Sequence, residues 1–419
     1  MKFQIRGKTF RHAVGQMHLV ASKGIASGCA DARRLTLEVL RNNRVILSAT
    51  NGCLHARLTL ARSDDPFLKT IRPGRVVVDS AAIKKISTAM AGNEHGDHLL
   101  ALRLEEDCVV VEDGMTKQVA RLKCRSKQPT TFMWPSTGTR LRFESATFAR
   151  AVGAVARLRP PSLRNHKPRY AMICLHSTEG EMRFICGDGM RFGIYAFPWT
   201  RASSETETRF LLPAEQAEIM AQLAGDARAI TLTYPDSTHC HATIDDHVEM
   251  FVTGIPDERY IRYDKHAYRS AEARWVLDTT RSQLRAAMSF IDAARDLERE
   301  QQDCVPTVIL SGDSSALCVE NDSHQVSAPL AAQLHPLTNE ARLRCEIFCE
   351  HLRDVVKANR GENVRLHFVG DSSVLAKVGD LGSEPEDADG LPGFMPRADG
   401  TTMQFFFAPV LEEQDEDDE

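Results

Sequence analysis

The sequence contains no long apolar run, and no segment approaches the roughly 20 apolar residues that span a bilayer. Its first ten residues, MKFQIRGKTF, lack the apolar core of a secretory signal, so we expect a cytoplasmic protein without membrane association. Eleven cysteines are scattered along the chain without a C-x-x-C pair. This usage favours reduced thiols over a disulfide framework.

Signatures of catalysis are also missing. The sequence has no Gly-rich phosphate-binding loop, no nucleophile elbow and no Walker motif. His239, His241 and His247 offer metal-ligand chemistry, but they lie in an ordinary hairpin pattern without the surrounding residues of a metal site. The sequence therefore predicts a protein that is not an enzyme and that holds no cofactor and no metal.

The composition is that of a globular protein with several domains. With 419 residues, 42% of them hydrophobic and 26% charged, the chain is long enough for two to four domains. The net charge of −5 conceals an acidic end, because the segment EEQDEDDE (412–419) carries seven acidic groups and no basic one. The remaining 411 residues have a net charge of +2. The acidic tail has no apolar face to bury, so it is predicted to be disordered.

Hairpin patterns recur along the chain with a long period. Three segments combine an alternating strand, a short turn and a second alternating strand: VILSATNGCLHARLTL (45–60), MRFICGDGMRFGIYAF (182–197) and ALCVENDSHQVSAPL (316–330). Their turns, at Asn51, Asp188 and Asn321, lie 137 and 133 residues apart. In the middle copy, Asp188-Gly189 is a strong hairpin signal, and we expect both central turn residues to have positive φ.

Two helical patterns recur in step with the hairpins. Amphipathic helices are predicted at 9–21, 147–158 and 283–294, and strands that lead into helices at 76–90, 210–225 and 346–361. The apolar stripes of the first set begin at Phe10, Phe148 and Leu284, which are 138 and 136 residues apart. We therefore predict an α+β fold of three tandem repeats, each with two short helices and antiparallel sheets. The expected boundaries are 1–133, 140–262 and 273–411, followed by the acidic tail 412–419.

The repeats resemble a known family over almost the whole chain. The segments that carry the resemblance are RYAMICLHSTEGEMRFICGDGMRFGIYAFP (169–198), RFLLPAEQAEIMAQLAGD (209–226) and DERYIRYDK (257–265). In order and spacing they resemble the bacterial β sliding clamp, the processivity subunit of DNA polymerase III. The chain would be a divergent member of this family.

The resemblance implies a head-to-tail homodimer that closes into a ring around duplex DNA without reading its sequence. Such a clamp tethers the replicative polymerase, the clamp loader and other proteins through a short peptide with apolar anchors. The resemblance assigns DNA contacts to Lys23, Arg164, His166, Lys167, Arg169 and Tyr170. Cations on the predicted helices, among them Lys8, Arg11, Lys84, Lys85 and Arg157, would add positive charge toward the phosphates.

The resemblance also places a peptide-binding groove between the second and third repeats. Its residues would be Met172, Gly187, Gly189, Met190, Arg191, Phe192, Ile261, Lys265, His266, Phe406, Ala408, Pro409 and Val410. Ordinary core packing would also account for Met190 and Phe192. Met190 stands where the family often has His, and Ile261 replaces a Pro, so the preferred peptide is expected to differ.

Two further features depart from the family pattern. The segment GDLGSEPEDADGLPGFMPRADG (379–400) has the composition of a long flexible loop, and the acidic tail extends the chain beyond the last predicted strand. A second function therefore stays open beside the DNA-encircling clamp. The chain could be a clamp-like peptide-binding adaptor, or a specialised second clamp of a mobile element, that forms no stable ring.

Overall fold

The structure is a computed structural model of the chain. It describes residues 1–23, 29, 31–90, 98–125, 137–160, 168–178, 180–199, 208–225, 227–245, 247–253, 255, 260, 263, 272–295, 307–313, 317–321, 327–338, 342–358, 361–369, 373–385, 392–395 and 402–407. The chain divides into two compact units: Met1–Arg150 with Glu215–Asp257, and Ala151–Ala214 with Glu258–Glu419. The three-domain division stays a prediction.

The first unit is built on one antiparallel sheet. Its strands are β1 (Lys2–Arg6), β2 (Arg34–Val39), β3 (Val45–Thr50), β4 (Leu54–Leu60), β5 (Lys69–Arg72), β6 (Gly74–Asp79), β7 (Leu99–Glu105), β8 (Cys108–Asp113), β9 (Val119–Arg125), β10 (Thr139–Glu144), β15 (Ala229–Tyr234), β16 (Cys240–Ile244) and β17 (Val248–Val252). They lie in the order β10-β15-β16-β17-β4-β3-β2-β6-β9-β8-β7-β1-β5. Helices α1 (Gly7–Ser22) and α2 (Ser80–Met90) belong to this unit.

The second unit contains two antiparallel sheets. The larger has the order β14-β11-β12-β13-β27-β25-β24-β18-β22, with β26 paired to β25, and the smaller has the order β21-β20-β19-β23. The strands are β11 (Met172–Ser177), β12 (Glu181–Gly187), β13 (Arg191–Pro198), β14 (Thr208–Pro213), β18 (Trp275–Thr280), β19 (Thr307–Gly312), β20 (Leu317–Asn321), β21 (Ser327–Pro329), β22 (Ala332–Pro336), β23 (Leu343–Phe348), β24 (Asn363–Val369), β25 (Ser373–Pro385), β26 (Pro392–Met395) and β27 (Thr402–Phe407).

Four more α-helices and two 3-10 turns complete the described elements. They are α3 (Ser145–Val155), α4 (Ala214–Ala224), α5 (Arg281–Arg295), α6 (Cys349–Ala358) and the turns Ala156–Leu158 and Pro168–Ala171. The chain passes between the units three times: within α3, at the start of α4 and after Asp257. Among the described residues, no helix combines the length and apolar character that a membrane crossing requires.

The order of elements confirms the threefold repeat. Strands β1, β10 and β18 lead into α1, α3 and α5, and strands β6, β14 and β23 lead into α2, α4 and α6. Each predicted hairpin is also present, as β3–β4, β12–β13 and β20–β21. In α1, Phe10, Val14 and Met17 are fully buried at helical spacing, as the apolar stripe predicts.

Side chains at the helix starts explain where two of these helices begin. Asp79 Oδ1 accepts a hydrogen bond from the backbone N–H of Ala82 over 2.8 Å, which satisfies a free amide in the first turn of α2. At α5, Thr280 and Gln283 form a reciprocal capping box with distances of 3.2 and 3.3 Å. Asp79 therefore caps the N-terminus of α2.

Two local expectations are wrong. Of the expected pair, Gly189 has a positive φ, 101°, and Asp188 does not. The segment 379–400 is not wholly a loop, because β25 continues to Pro385 and pairs with β26 through Asp380 with Met395 and Leu381 with Phe394. An antiparallel ladder is held by backbone hydrogen bonds, so a polar, Gly-containing segment can form one.

Candidate peptide-binding groove and DNA-contacting residues

The turn between β12 and β13 is stabilised by the side chain of Asp188. Its Oδ1 atom accepts hydrogen bonds from the backbone N–H groups of Met190 (3.0 Å) and Arg191 (3.1 Å). The turn of the first repeat is built in the same way, because Asn51 Oδ1 accepts from Cys53 and Leu54 at 3.0 and 2.7 Å. Such Asx turns fix the backbone locally.

Glycine is required on both sides of Asp188. Gly189 has φ 101°, which an L side chain rarely adopts, and a Cβ there would lie 3.2 Å from the ring of Tyr170. Gly187 has an ordinary φ, but a Cβ at this position would lie 2.3 Å from the carbonyl oxygen of Arg191. The tight approach of the two strands therefore depends on the absence of a side chain.

Arg191 is an anchor of the turn. Its side chain is 7% exposed and its Nε donates to Asp188 Oδ2 over 3.0 Å. Nη1 donates to Asp354 Oδ2 over 2.6 Å, and Nη2 lies 3.6 Å from Glu350 Oε2. Asp354 and Glu350 are on α6, so this guanidinium joins the β12–β13 turn of the second repeat to a helix of the third.

The charge on Asp354 is held in a half-buried setting. Burial raises the pKa of its carboxyl, while Arg191, Arg157 and Lys357 oppose that rise. Burial also lowers the pKa of Arg157, whose Nε and Nη2 donate to the carbonyl oxygen of Ala154 at 3.2 and 3.3 Å. The Arg157 guanidinium therefore binds the end of α3 and interacts electrostatically with Asp354, and its contribution to a DNA-facing surface stays a prediction.

Phe192 and Phe406 form the apolar floor beside the turn. Phe192 on β13 is paired directly with Phe406 on β27, and their rings stack with 4.6 Å between centroids. Phe192 is partly buried and packs against a buried cluster. The cluster consists of Met172, Cys174, Ile185, Ile194, Ala196, Tyr260, Tyr263, Leu375 and Phe406. The structure thus brings Met172, Phe192 and Phe406 together, and their role in peptide binding stays a prediction.

Met190 lies at the solvent side of this floor. Its side chain is 43% exposed, so Met190 is not an ordinary core residue. Phe192 is only partly buried, and the ring of Tyr263 meets it edge-on at 6.3 Å. An exposed methionine beside stacked rings has the adaptable, apolar character of a peptide pocket.

Two residues beside the predicted groove, His351 on α6 and Tyr263 in the linker, were not among the predicted site residues. His351 stacks on Phe407 with 5.0 Å between ring centroids, and burial lowers its pKa to about 3, with a further contribution from Arg191. Tyr263 is buried and shares a short hydrogen bond with His176. One sequence signal was available for α6: Glu350 and Asp354 form a like-charged i,i+4 pair, which a nearby cation stabilises.

Six of the predicted groove residues lie outside the described part of the chain. They are Ile261, Lys265, His266, Ala408, Pro409 and Val410. The described anchors that flank them are Tyr260 and Tyr263 in the linker and Phe407 at the end of β27. Membership of these six residues in the groove stays a prediction.

The predicted DNA contacts fall in two places. Lys23 is exposed at the end of α1, and its Nζ donates to Gln222 Oε1 over 3.1 Å. Arg169 and Tyr170 lie in a 3-10 turn, with the guanidinium carbon of Arg169 5.5 Å from the centre of the Tyr170 ring. Since Tyr170 also faces Gly189, this pair adjoins the groove turn.

The other predicted DNA contacts, Arg164, His166 and Lys167, lie outside the described residues. On the helices, Lys8, Arg11, Lys84 and Lys85 are exposed. No group of three or more potential metal ligands occurs in the described part of the chain. His239 instead pairs with Asp236 at 2.9 Å, and its ring stacks on Phe251.

The chain is similar to known proteins in structure, and the structures that it resembles are bacterial sliding clamps. No protein-family model and no curated protein sequence matches the chain. Among solved structures, the DNA polymerase sliding clamp of Bacillus subtilis aligns with a TM-score of 0.78 and 13% identity, covering 98% of this chain and 99% of that one.

Two further solved structures agree. The beta subunit from DNA polymerase of Streptococcus pyogenes aligns with a TM-score of 0.76 and 14% identity, covering 98% of this chain and 100% of that one. The sliding clamp of Pseudomonas aeruginosa bound to griselimycin aligns with a TM-score of 0.76 and 16% identity, covering 98% of this chain and 100% of that one. The chain therefore has the fold of the bacterial DNA polymerase III β sliding clamp over almost its whole length.

Proposed function

We propose that this chain is a DNA sliding clamp, a non-catalytic processivity subunit that encircles duplex DNA as a head-to-tail homodimer. The observation that carries the proposal is the full-length likeness to bacterial clamps, which spans 98% of this chain and 99–100% of theirs. A likeness to part of a clamp would fit a single related domain in a protein of another function. A likeness over the full length supports a shared function of the whole fold.

The charge pattern supports a sequence-independent DNA contact. A sliding ring needs cations that offset phosphate charge, and it needs no contact with base edges. Lys8, Arg11, Lys84 and Lys85 are exposed on α1 and α2, and Lys23 is exposed at the end of α1. These cations, with Arg169 and the predicted contacts Arg164, His166 and Lys167, would face the duplex.

The groove supports a tethering role, which a replication clamp would perform in the cytoplasm. The stacked rings of Phe192 and Phe406, rimmed by Met190 and the anchored Arg191, suit a short peptide with apolar anchors. Peptides of this kind on the replicative polymerase, the clamp loader and other proteins would hold them at the DNA. Tethering makes each rebinding event effectively intramolecular, which is what processive synthesis requires.

Ring closure can be tested by mass and by topology. A dimer should have twice the 46.6 kDa mass of one chain in solution. Protein bound to nicked circular DNA should survive a wash at about 0.5 M salt, which removes contacts held by charge alone. Cutting the circle should then release it. A monomeric mass, or equal retention on circular and linear DNA, would contradict encirclement and favour the adaptor alternative.

The groove can be tested separately with a fluorescent peptide of the Gln-Leu-x-Leu-Phe type. Phe192→Ala should weaken binding, since this side chain forms half of the stacked floor. Deleting residues 406–419 should also weaken binding, but this deletion removes Phe406 and Phe407 from β27. Deleting residues 412–419 removes the tail alone and leaves the strand intact. Unchanged binding to Phe192→Ala would refute the site assignment.

A further inference from the structure

We propose that β5 and the start of β1 form a docking surface for an acidic segment of a partner protein that carries apolar side chains among its carboxylates. We call this surface the β5 patch and define it by Lys2, Phe67, Lys69, Ile71 and Arg72. All five residues belong to the first unit, and none is a groove residue, so the inference goes beyond the proposed function.

Strand pairing sets the cations of the β5 patch side by side. Lys2 on β1 lies directly opposite Arg72 on β5, and Gln4 lies opposite Lys69. The side chains of Lys2, Lys69 and Arg72 are exposed and make no hydrogen bond or ion pair with another described residue. Like charges that face each other across a strand pair are destabilising. An anion bound here would therefore relieve a repulsion that the fold itself leaves in place.

The cation of the next strand is already balanced. Arg103 on β7 lies opposite Lys2, on the face of the sheet that is turned away from the fully buried Phe3. Its guanidinium donates to the carboxylates of Glu105 and Glu112 over 2.6 and 2.7 Å. The unbalanced positive charge on this face is therefore concentrated at β5 and the start of β1.

Two apolar side chains are exposed beside these cations. Phe67 is 51% exposed and Ile71 is 47% exposed. The buried carboxylate of Asp65 fixes the turn before β5, because it accepts hydrogen bonds from the backbone N–H groups of Arg6 (2.8 Å) and Phe67 (2.9 Å). The guanidinium carbon of Arg6 lies 4.4 Å from the centre of the Phe67 ring. An exposed ring on a fixed backbone loses little conformational freedom on binding, as an interface anchor requires.

The turn between β2 and β3 adds charge of the same sign. Asn43 Oδ1 accepts a hydrogen bond from the backbone N–H of Thr70 over 2.9 Å, so this turn lies against β5. Arg41 and Arg44 on the turn are exposed and form no ion pair with a described residue. Since Asn43 already occupies the amide of Thr70, a partner would contact the side chains of the β5 patch and would not add a strand at this point.

The carboxylates of the same unit favour a peptide over a nucleic acid as the occupant. Those on the turn before Phe67 and on the β7–β8 hairpin are exposed or half-buried: Asp64, Glu105, Glu106, Asp107 and Glu112. A nucleic acid strand carries a phosphate at every nucleotide, so its charge would also meet these carboxylates. A peptide can place its carboxylates against Lys69 and Arg72 and an apolar side chain against Phe67.

The expected preference is electrostatic and therefore depends on salt. Exposed ion pairs are individually weak, so we expect an acidic peptide to bind about tenfold more tightly than its uncharged analogue at low salt. At 1 M salt the Debye length is about 3 Å, and the preference should fall below about twofold. The contact with Phe67 should persist at high salt, because it is apolar.

The test uses the full chain and three fluorescent probes, with binding measured by anisotropy. The probes are the peptide Asp-Asp-Leu-Asp-Asp-Phe, its uncharged analogue Asn-Asn-Leu-Asn-Asn-Phe and a short single-stranded oligothymidine. The variant Lys69→Gln with Arg72→Gln removes two cations of the β5 patch. Its matched control, Lys84→Gln with Lys85→Gln, removes two exposed cations of α2 in the same unit and changes the net charge equally. Urea unfolding shows that each variant is folded.

We expect the acidic peptide to bind the natural chain about tenfold more tightly than the Lys69/Arg72 variant, with the α2 control unchanged. Phe67→Ala should weaken the acidic peptide by about threefold to tenfold. The Leu and Phe of the peptide also suit the groove, so Phe192→Ala separates the two sites. Binding that is lost in Phe192→Ala and kept in Phe67→Ala would overturn the inference.

Three other results would also overturn it. The first is no binding of the acidic peptide, or equal binding of its uncharged analogue. The second is an equal loss in the α2 control, because net charge alone would then explain the affinity. The third is oligothymidine that binds more tightly than the peptide and depends equally on Lys69 and Arg72, which would make the occupant a nucleic acid. None of these results bears on ring closure or on the groove, so the proposed function is tested separately.

Discussion

The side-chain amide nitrogen of Asn51 donates a hydrogen bond to the backbone carbonyl oxygen of Lys23 over 2.9 Å. The same nitrogen donates to Gln216 Oε1 over 3.1 Å. The Oδ1 atom of Asn51 accepts from the N–H groups of Cys53 and Leu54. Asn51 is fully buried, so one amide connects a hairpin turn, the end of α1 and helix α4.

Replacing Asn51 with Ala should lower the free energy of unfolding by about 1–3 kcal/mol, because buried donors and acceptors lose their partners. It should also weaken retention on DNA, since the Lys23 backbone loses its support. Urea unfolding and a filter-binding titration would measure the two effects.

Asn51→Asp is the matched control for this prediction. A carboxylate keeps the acceptor for Cys53 and Leu54 but removes the donor to Lys23. We expect destabilisation at least as large as with Ala, because the buried carboxylate would face the two oxygens of Lys23 and Gln216, and a similar loss of DNA retention. Unimpaired DNA binding in both variants would show that the Asn51 contact does not position Lys23.

Removing the cation at Arg191 should be among the most damaging changes in the second unit. Arg191→Ala leaves the half-buried Asp354 carboxylate without its 2.6 Å partner, at an expected cost of about 3–5 kcal/mol in unfolding free energy. Glu350→Gln should cost less than about 1 kcal/mol, because its carboxylate is mostly exposed. If both variants lost the same unfolding free energy, the Arg191–Asp354 pair would not be the main stabilising contact of this turn.

The fold was largely predictable because its signals are periodic and local. Phe10, Val14 and Met17 are spaced for one helix face, and Asp79 has the chemistry of a helix cap. Each such signal recurs in step with the repeat, which makes the strand–helix order readable. The segment 379–400 was misread, because a ladder of backbone hydrogen bonds leaves little trace in a polar sequence.

The groove was predictable only in part. Phe192 and Phe406 came from the resemblance, and their stacking depends on strand pairing between residues more than 200 positions apart. The role of α6 was missed, because sequence alone does not show which cation lies beside Asp354. For the same reason, the sequence does not show that Arg157 interacts with Asp354. Long-range pairing of charges has no short sequence signature.

Truncating Met190 should separate binding from stability. Met190 is 43% exposed, so Met190→Ala should change the unfolding free energy by less than about 0.5 kcal/mol. Lost apolar contact should weaken the Gln-Leu-x-Leu-Phe peptide by about threefold to tenfold. Met115→Ala is a matched control, since Met115 is an exposed methionine of the first unit and should leave peptide affinity unchanged. Equal peptide affinities for both variants would remove Met190 from the groove.

Acidification should destabilise the second unit through His351. Burial lowers its folded-state pKa to about 3, whereas an unfolded chain has the ordinary value of about 6.5. Between these values the unfolded chain binds the proton more readily, so stability is lost as pH falls below about 6.5.

His351→Phe keeps a ring against Phe407 and removes the titrating group. Urea unfolding between about pH 7 and pH 4.5 measures the effect. As pH falls, the unfolding free energy of the natural chain should decrease more steeply than that of the variant, by up to about 1.4 kcal/mol per pH unit. His55, whose pKa burial lowers to about 4, titrates in both proteins and cancels in the comparison. Identical pH slopes would show that His351 is not held neutral in the folded protein.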